Sequence, residues 1–205
     1  MSEFENDKYH SWVEPYFPYN GVHPVEADAA YCLLRECGVR ITRDGQHQRM
    51  TPYRLAHYLN YWTRPPLEPR FTVFDNVNPK ISQVIVVDPI DFWACCSHHM
   101  LPFFGKVYFG YVPEDKLVGL SMIPLVIKEL CTRPWLQETM TEVLADWFTE
   151  RLHPNGLGIV TIAMHTCQML DLGGPPVPQM KFSSLRGSFF DNPATRDEFF
   201  RLSGL

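Results

Sequence analysis

A proline-dense break at Pro65, Pro66 and Pro69 separates two kinds of hydrophobic pattern, and this change constrains the fold more than any other feature of the chain. Before the break, apolar residues recur at helical spacing. Val25 to Cys37 follows Pro24, carries Ala29, Cys32 and Leu33 on one stripe, and stops at Gly38, a residue suited to the left-handed turn after a helix. Thr51 reads as the N-cap of a second helix, with Pro52 at its first position and Leu55, Tyr58, Leu59 and Trp62 on one face. Two such stripes are expected to pack on each other. After the break the pattern turns to runs of β-branched and aromatic residues: Phe71 to Phe74, Ser82 to Asp91, Lys106 to Val112, Leu157 to His165 and Lys181 to Phe190. Between them Leu125 to Cys131 and Trp135 to Leu152 read as helices separated by Pro134, Gly173 to Pro178 as a loop, and Arg196 to Leu202 as a last short helix. Helices, strands, helices and strands in blocks, without regular βαβ alternation, specify an α+β fold with a mainly antiparallel sheet.

A chain of 205 residues can bury one sizeable core. With 45% hydrophobic and 20% charged residues it lies outside the composition of disordered chains. Its net charge of −5 offers no basic footprint for a nucleic-acid backbone, so nucleic acid is not an expected partner. No apolar run approaches the roughly 20 residues of a membrane span, and residues 1–10 lack a signal-peptide core. The six cysteines are irregularly spaced and two, Cys95 and Cys96, are adjacent, which fits reduced thiols in a cytoplasmic protein better than a disulfide framework.

The densest chemical cluster is Cys95-Cys96-Ser97-His98-His99, where a thiolate donor and an imidazole stand three positions apart. A second donor pair, His165-Thr166-Cys167, lies about seventy residues downstream at the end of an expected strand, where period-2 geometry turns both donors to one side. Zinc accepts tetrahedral mixtures of thiolate and imidazole, and three protein ligands with one open position mark a catalytic site. Cys96, His99 and Cys167 supply such a set. Cys95 or His98 as a fourth ligand would close the site and make it structural, and buried cysteines or a core histidine on a strand need no metal at all.

Cys96-Ser97-His98-His99, followed by Leu101-Pro102-Phe103, Gly105, Tyr111-Val112-Pro113, Gly119-Leu120-Ser121, Arg133-Pro134, Gln137-Glu138 and His165-Thr166-Cys167, resembles the GTP cyclohydrolase I family. The similarity reaches back to Thr51-Pro52-Tyr53-Arg54 and forward to Thr195-Arg196 with Glu198-Phe199. This resemblance implies the tunnelling fold: N-terminal helices and a mainly antiparallel four-stranded sheet backed by two helices, assembling into an oligomeric barrel. The chain thus divides into an irregular arm over 1–24, broken by Pro15, Pro18 and Gly21, whose Trp12, Tyr16, Phe17 and Tyr19 are assigned to subunit packing, with occlusion of the active site as the alternative, a helical region over 25–64 and a catalytic domain over 65–205. The resemblance further implies a homo-oligomer, a decamer in the family, with active sites at subunit interfaces. The implied reaction is zinc-dependent hydrolytic opening of the guanine imidazole ring at C8 with release of formate, followed by ribose rearrangement and pterin closure. Carried across by position, Cys96, His99 and Cys167 resemble the zinc ligands, His98 and His165 the proton-transfer histidines, and Gln137 with Glu138 the pair that holds the purine edge, Glu138 also counting with the catalytic groups. A carboxylate there accepts from N1 and the 2-amino group. The plainer alternative for Gln137 and Glu138 is a polar first turn complementing a helix dipole.

The basic set that holds the triphosphate in the family is largely missing. Ser121 remains, but the neighbouring lysine is Met122, the next arginine falls on Leu125, and the arginine four positions after the second zinc cysteine falls on Asp171. A helix lysine appears as His57, which leaves Arg54, and a glutamate before the paired histidines appears as Ser97. Hydrogen bonds to charged groups contribute roughly 1.5 to 3 kcal/mol each, so three lost contacts weaken binding by about three to six orders of magnitude. A carboxylate about 4 Å from a phosphate charge adds roughly 4 kcal/mol of repulsion at an effective dielectric of 20. The expected substrate is therefore a purine-like molecule without a triphosphate, with Asp171 accepting from a sugar hydroxyl or a cation and Met122 and Leu125 lining an uncharged wall. The alternatives are ordinary GTP turnover with Lys128, Arg133 or Arg186 rebuilding the phosphate site, and a silent zinc-containing binding domain.

Overall fold

The computed structural model describes residues 21–42, 48–65, 67–77 and 80–205; the arm aromatics Trp12, Tyr16, Phe17 and Tyr19 lie outside the described residues. The chain forms two compact units, one reaching to Arg64 and the other spanning Pro65–Leu205.

The first unit is a helix pair, α1 (Pro24–Glu36) and α2 (Thr51–Thr63). A capping box opens α1: the His23 ring accepts from the Val25 N–H at 3.3 Å, and the Glu26 carboxylate accepts from the His23 N–H at 2.8 Å. Thr51 does not cap α2. Its N–H already donates to the Gln48 carbonyl at 2.9 Å, so the chain is turning before it and the cap position falls on Met50. The two helices do pack on each other, but α1 does so by a different face from the expected one: the pair buries Ala27, Tyr31, Ile41 and Tyr53 while Ala29 and Leu33 are exposed, and Asn60 donates to Glu26 at 2.9 Å.

The second unit carries β1 (Val73–Asp75), β2 (Ile85–Cys96), β3 (Pro102–Val112), β4 (Lys116–Val118), α3 (Met122–Cys131), β5 (Pro134–Trp135), α4 (Gln137–Leu152), β6 (Gly156–His165), α5 (Thr166–Asp171), β7 (Met180–Gly187), α6 (Ser188–Asp191) and α7 (Pro193–Ser203). The four long strands form an antiparallel sheet in the order β2-β3-β6-β7, and the two-residue β5 adds to it in parallel beside Cys95 and Cys96. A separate two-stranded ribbon pairs β1 with β4.

Several boundaries differ from the sequence reading, each for a local reason. β2 runs on to Cys96 because a register shift between Val87 and Ile90 absorbs Pro89 on this outer strand, after which pairing with β3 resumes. α3 begins at Met122, since Ile123, Val126, Ile127 and Leu130 make one continuous buried stripe. The segment expected to start the next helix is instead β5, and α4 starts at Gln137. β7 stops at Gly187, whose φ of 54° lets the chain turn directly into α6.

One face of the sheet packs against α3 and α4 around Phe103, Phe109, Ile127, Leu144 and Phe148. Val112, Val160, Phe189 and Phe199 form a smaller core on the other face. Gly110 and Gly158 oppose each other in register there; a Cβ on Gly110 would lie 2.6 Å from the Phe199 ring and one on Gly158 2.8 Å from the Phe189 ring. Bare backbone at this point lets the stacked pair Phe189 and Phe199 lie flat on the sheet.

Candidate active site

The β2–β3 connection builds one side of the site. Met100 adopts a left-handed φ of 53°, its N–H reaches the Cys96 carbonyl at 2.8 Å, and the Cys96 N–H reaches the Leu101 carbonyl at 2.7 Å. β5 holds this turn from outside, the Trp135 carbonyl accepting from the Ser97 N–H at 3.0 Å. The turn brings the Cys96 thiol to 3.6 Å from His99 Nδ1.

The other side comes from the end of β6. His165 pairs in register with Phe103 and stacks on its ring at 4.5 Å, and the Thr166 hydroxyl donates to the Pro102 carbonyl at 2.6 Å. Cys167 reaches the turn from the first turn of α5, not from an extended strand, so the period-2 argument for its direction does not hold. The donor atoms of Cys96, His99 and Cys167 all lie within 4.8 Å of one another. Tetrahedral zinc with bonds of about 2.0 to 2.3 Å places its ligand atoms about 3.3 to 3.8 Å apart, so small side-chain rotations fit this set to the ion. Burial and the Cys96 thiol beside it push the Cys167 thiol above its usual range.

Cys95 and His98 stay outside this cluster. The Cys95 thiol is fully buried, lies 3.8 Å from the Cys96 carbonyl, and is pushed up to about 11 by burial and by Cys96. His98 sits exposed in the turn, its ring 6.0 Å from that of His99 and nearly perpendicular to it.

Gln137 and Glu138 open α4 and part company. Glu138 is exposed, and its charge acts on His165, opposing the burial that lowers the pKa of that ring. Gln137 is 0% exposed, with its side chain engaged inside the protein. Its Oε1 lies 2.9 Å from His165 Nε2, and its Nε2 lies 3.2 Å from the Thr161 carbonyl, 3.0 Å from the Thr161 hydroxyl and 3.1 Å from the Met180 carbonyl. Thr161 and Thr141, which complete this buried network, were not singled out from the sequence. The available signal was a lone hydroxyl at Thr161 in an otherwise apolar strand.

The residues expected to meet a phosphate are spread over three elements. Ser121 precedes α3 without capping it, Met122 and Leu125 lie in its first turn with Leu125 51% exposed, and Asp171 ends α5 between exposed Leu170 and Leu172. Arg54 is exposed on α2 in the other unit. The Arg186 guanidinium is paired with two carboxylates of α4, reaching Glu142 and, at 2.8 Å, Asp146. The Arg133 guanidinium lies 5.6 Å from the centre of the Trp135 ring, and Lys128 lines a groove with Ile90, Trp93 and Pro124.

Residues 27–204 match the family model described as GTP cyclohydrolase I. The relatives include the GTP cyclohydrolase 1 of Hydrogenobaculum sp. (strain Y04AAS1), 36% identical over 172 residues that cover 83% of this chain and 91% of that protein. That of Chlorobaculum tepidum is 34% identical over 182 residues, covering 86% and 79%, and that of Homo sapiens is 32% identical over 180 residues, covering 85% and 70%.

Proposed function

We propose, given that this chain belongs to the GTP cyclohydrolase I family and has that family's tunnelling fold, that it opens the imidazole ring of a guanine-type substrate at C8 and that this substrate carries no triphosphate. The family places it among hydrolases acting on C–N bonds of cyclic amidines. The single observation that carries the finer reading is the contrast between an assembled Cys96, His99 and Cys167 cluster and uncharged or acidic residues at Met122, Leu125 and Asp171.

Cys96, His99 and Cys167 would hold zinc. When bound, the ion supplies Lewis-acid activation of water at its fourth position. Glu138, exposed at the start of α4, accepts hydrogen bonds from N1–H and the 2-amino group and so selects guanine over an isostere lacking them. His98 and His165 hold and return the protons that ring opening moves. The two outer strands support assembly into a homo-oligomer, a decamer on the family pattern with sites at subunit interfaces. Among the described residues β7 has one neighbour within the sheet, and β2 is paired on its outer side only at Cys95 and Cys96, so both strands have edges that another copy can extend.

Formate release by the zinc-loaded protein from GTP, GMP, guanosine and guanine tests the reading, with Cys167→Ala as the control. Turnover of guanosine or guanine is the expected result. Efficient GTP turnover with none of the nucleoside would instead establish ordinary GTP cyclohydrolase I activity, the second reading, which the 36% identity to a protein of that name favours.

A further inference from the structure

We propose that Gln137 is a positioning residue for His165: it receives the Nε2 proton of that ring, fixes the neutral ring as the Nε2–H tautomer, and leaves Nδ1 as the basic nitrogen.

The argument is an accounting of protons in a dry network. Two of the groups facing the Gln137 amide, the Thr161 and Met180 carbonyls, are acceptors only, at 3.2 and 3.1 Å. The amide nitrogen must face them, because the flipped amide would set its oxygen against two carbonyl oxygens while Gln137 and Thr161 are both 0% exposed. Oε1 is thereby turned to His165 at 2.9 Å, and as an acceptor it requires a proton on Nε2.

The hydroxyls reinforce the same direction. Thr141 Oγ1 lies 2.8 Å from the Gln137 carbonyl, one turn back on α4, and 2.8 Å from Thr161 Oγ1. Each hydroxyl has one proton. If Thr141 gives its proton to the carbonyl, Thr161 gives its own to Thr141 and accepts from the Gln137 amide at 3.0 Å. The reverse order would leave the Thr161 proton with no acceptor while Gln137, Thr141 and Thr161 are all 0% exposed. The chain therefore runs one way, from His165 through Gln137 and Thr161 to Thr141 and the helix backbone. The 4.5 Å stack on Phe103, parallel within 5°, holds the plane of the ring that this chain orients.

The geometric part of the inference is independent of the substrate; the consequence for turnover rests on the function proposed above. Two arms separate them. In the first, the zinc-loaded protein is labelled with 15N-histidine and read by solid-state NMR, the His165 signals being identified by their loss in His165→Ala. A neutral His165 carrying its proton on Nε2, and a mixture of tautomers in Gln137→Met with zinc content unchanged, is the expected result. A wild-type Nδ1–H tautomer overturns the proposal whatever the enzyme acts on.

In the second arm, formate release is measured from guanosine and from GTP. Gln137→Met is expected to lower kcat by about 10-fold with KM within about 2-fold, and to cost nothing further in a His165→Ala background. A raised KM at unchanged kcat, or a loss undiminished in that background, overturns positioning in favour of direct contact with the purine. If Gln137→Met does not fold, Thr161→Val keeps both backbone acceptors and removes only the hydroxyl. Its expected kcat loss of about 3-fold, absent once His165 is alanine, then decides with the wild-type tautomer. Absence of turnover from every substrate would defeat the proposed function and leave the tautomer result standing.

Discussion

The two halves of the expected substrate site are built differently. Around His165 a framework of hydrogen bonds fixes the geometry: the turn at Cys96 is closed by backbone hydrogen bonds, Thr166 is tied to Pro102, and Gln137 is held by His165, Thr161 and Met180. At the positions that meet triphosphate in the family there is no comparable framework. Met122, Leu125 and Asp171 offer two apolar side chains and a carboxylate, and Leu120, Leu125, Leu170 and Leu172 are all more than half exposed. Chemistry demands fixed geometry, because ring opening depends on atoms held in register. Recognition of a flexible phosphate tail demands mainly charge, and charge is lost by substituting surface residues without disturbing a core. Under the proposed function, the fixed half sets the reaction and the exposed half sets what the chain acts on.

The largest effect that separates the halves is loss of the metal. Cys96→Ala removes a thiolate from a three-donor set and is expected to abolish zinc retention and all formate release, lowering turnover by at least about 1000-fold, as read by metal analysis and product assay. Its fold is expected to survive, since the helix-facing core of the sheet is built from Phe103, Phe109, Leu144 and Phe148, independent of the ion. Formate release by metal-free Cys96→Ala at the wild-type rate would remove the metal from the argument.

Restoring charge is the next test. Met122→Lys, Leu125→Arg and Asp171→Arg together are expected to strengthen GTP binding by at least about 1000-fold, since each restored contact to a charged group contributes roughly 1.5 to 3 kcal/mol. Calorimetric titration with GTP reads the gain; no gain would mean that these three positions do not face the phosphates and that the contrast between the halves is mistaken.

The sequence made some of this legible. Period and proline placement located both N-terminal helices and the long strands, because amphipathic stripes and β-branched runs are local signals. The donor spacing of Cys96 and His99 announced their cluster for the same reason. What stayed hidden was set by tertiary contact. The strand expected over Ser82 to Asp91 already holds Pro89, but its continuation to Cys96 depends on the register shift between Val87 and Ile90. Pro134 reads as a helix gap and proves to be a short strand beside Cys95. Gln137 reads as a polar helix start, and only the arrival of β6 and β7 over α4 turns it into a buried partner of His165. Cys167 was identified as a donor, although the route to the site, a helical turn rather than a strand end, was not.

The smallest expected effect tests the boundary between the halves. Arg186 is a surviving cation that the sequence offers for a rebuilt phosphate site, yet it is held by Glu142 and Asp146, two carboxylates one helical turn apart on α4. Withdrawing it toward a phosphate would leave both acids without their cation. The pair is partly exposed, with side-chain accessibilities of 30% for Arg186 and 43% for Glu142, so solvent screens it and its contribution to stability is about 0 to 1 kcal/mol. Arg186→Ala is therefore expected to lower Tm by no more than about 4 °C and to leave KM for GTP and for guanosine unchanged. A rise in KM confined to GTP would show that the arginine leaves its acids to serve the phosphates, and would return the chain to the phosphate recognition of its relatives by a different residue.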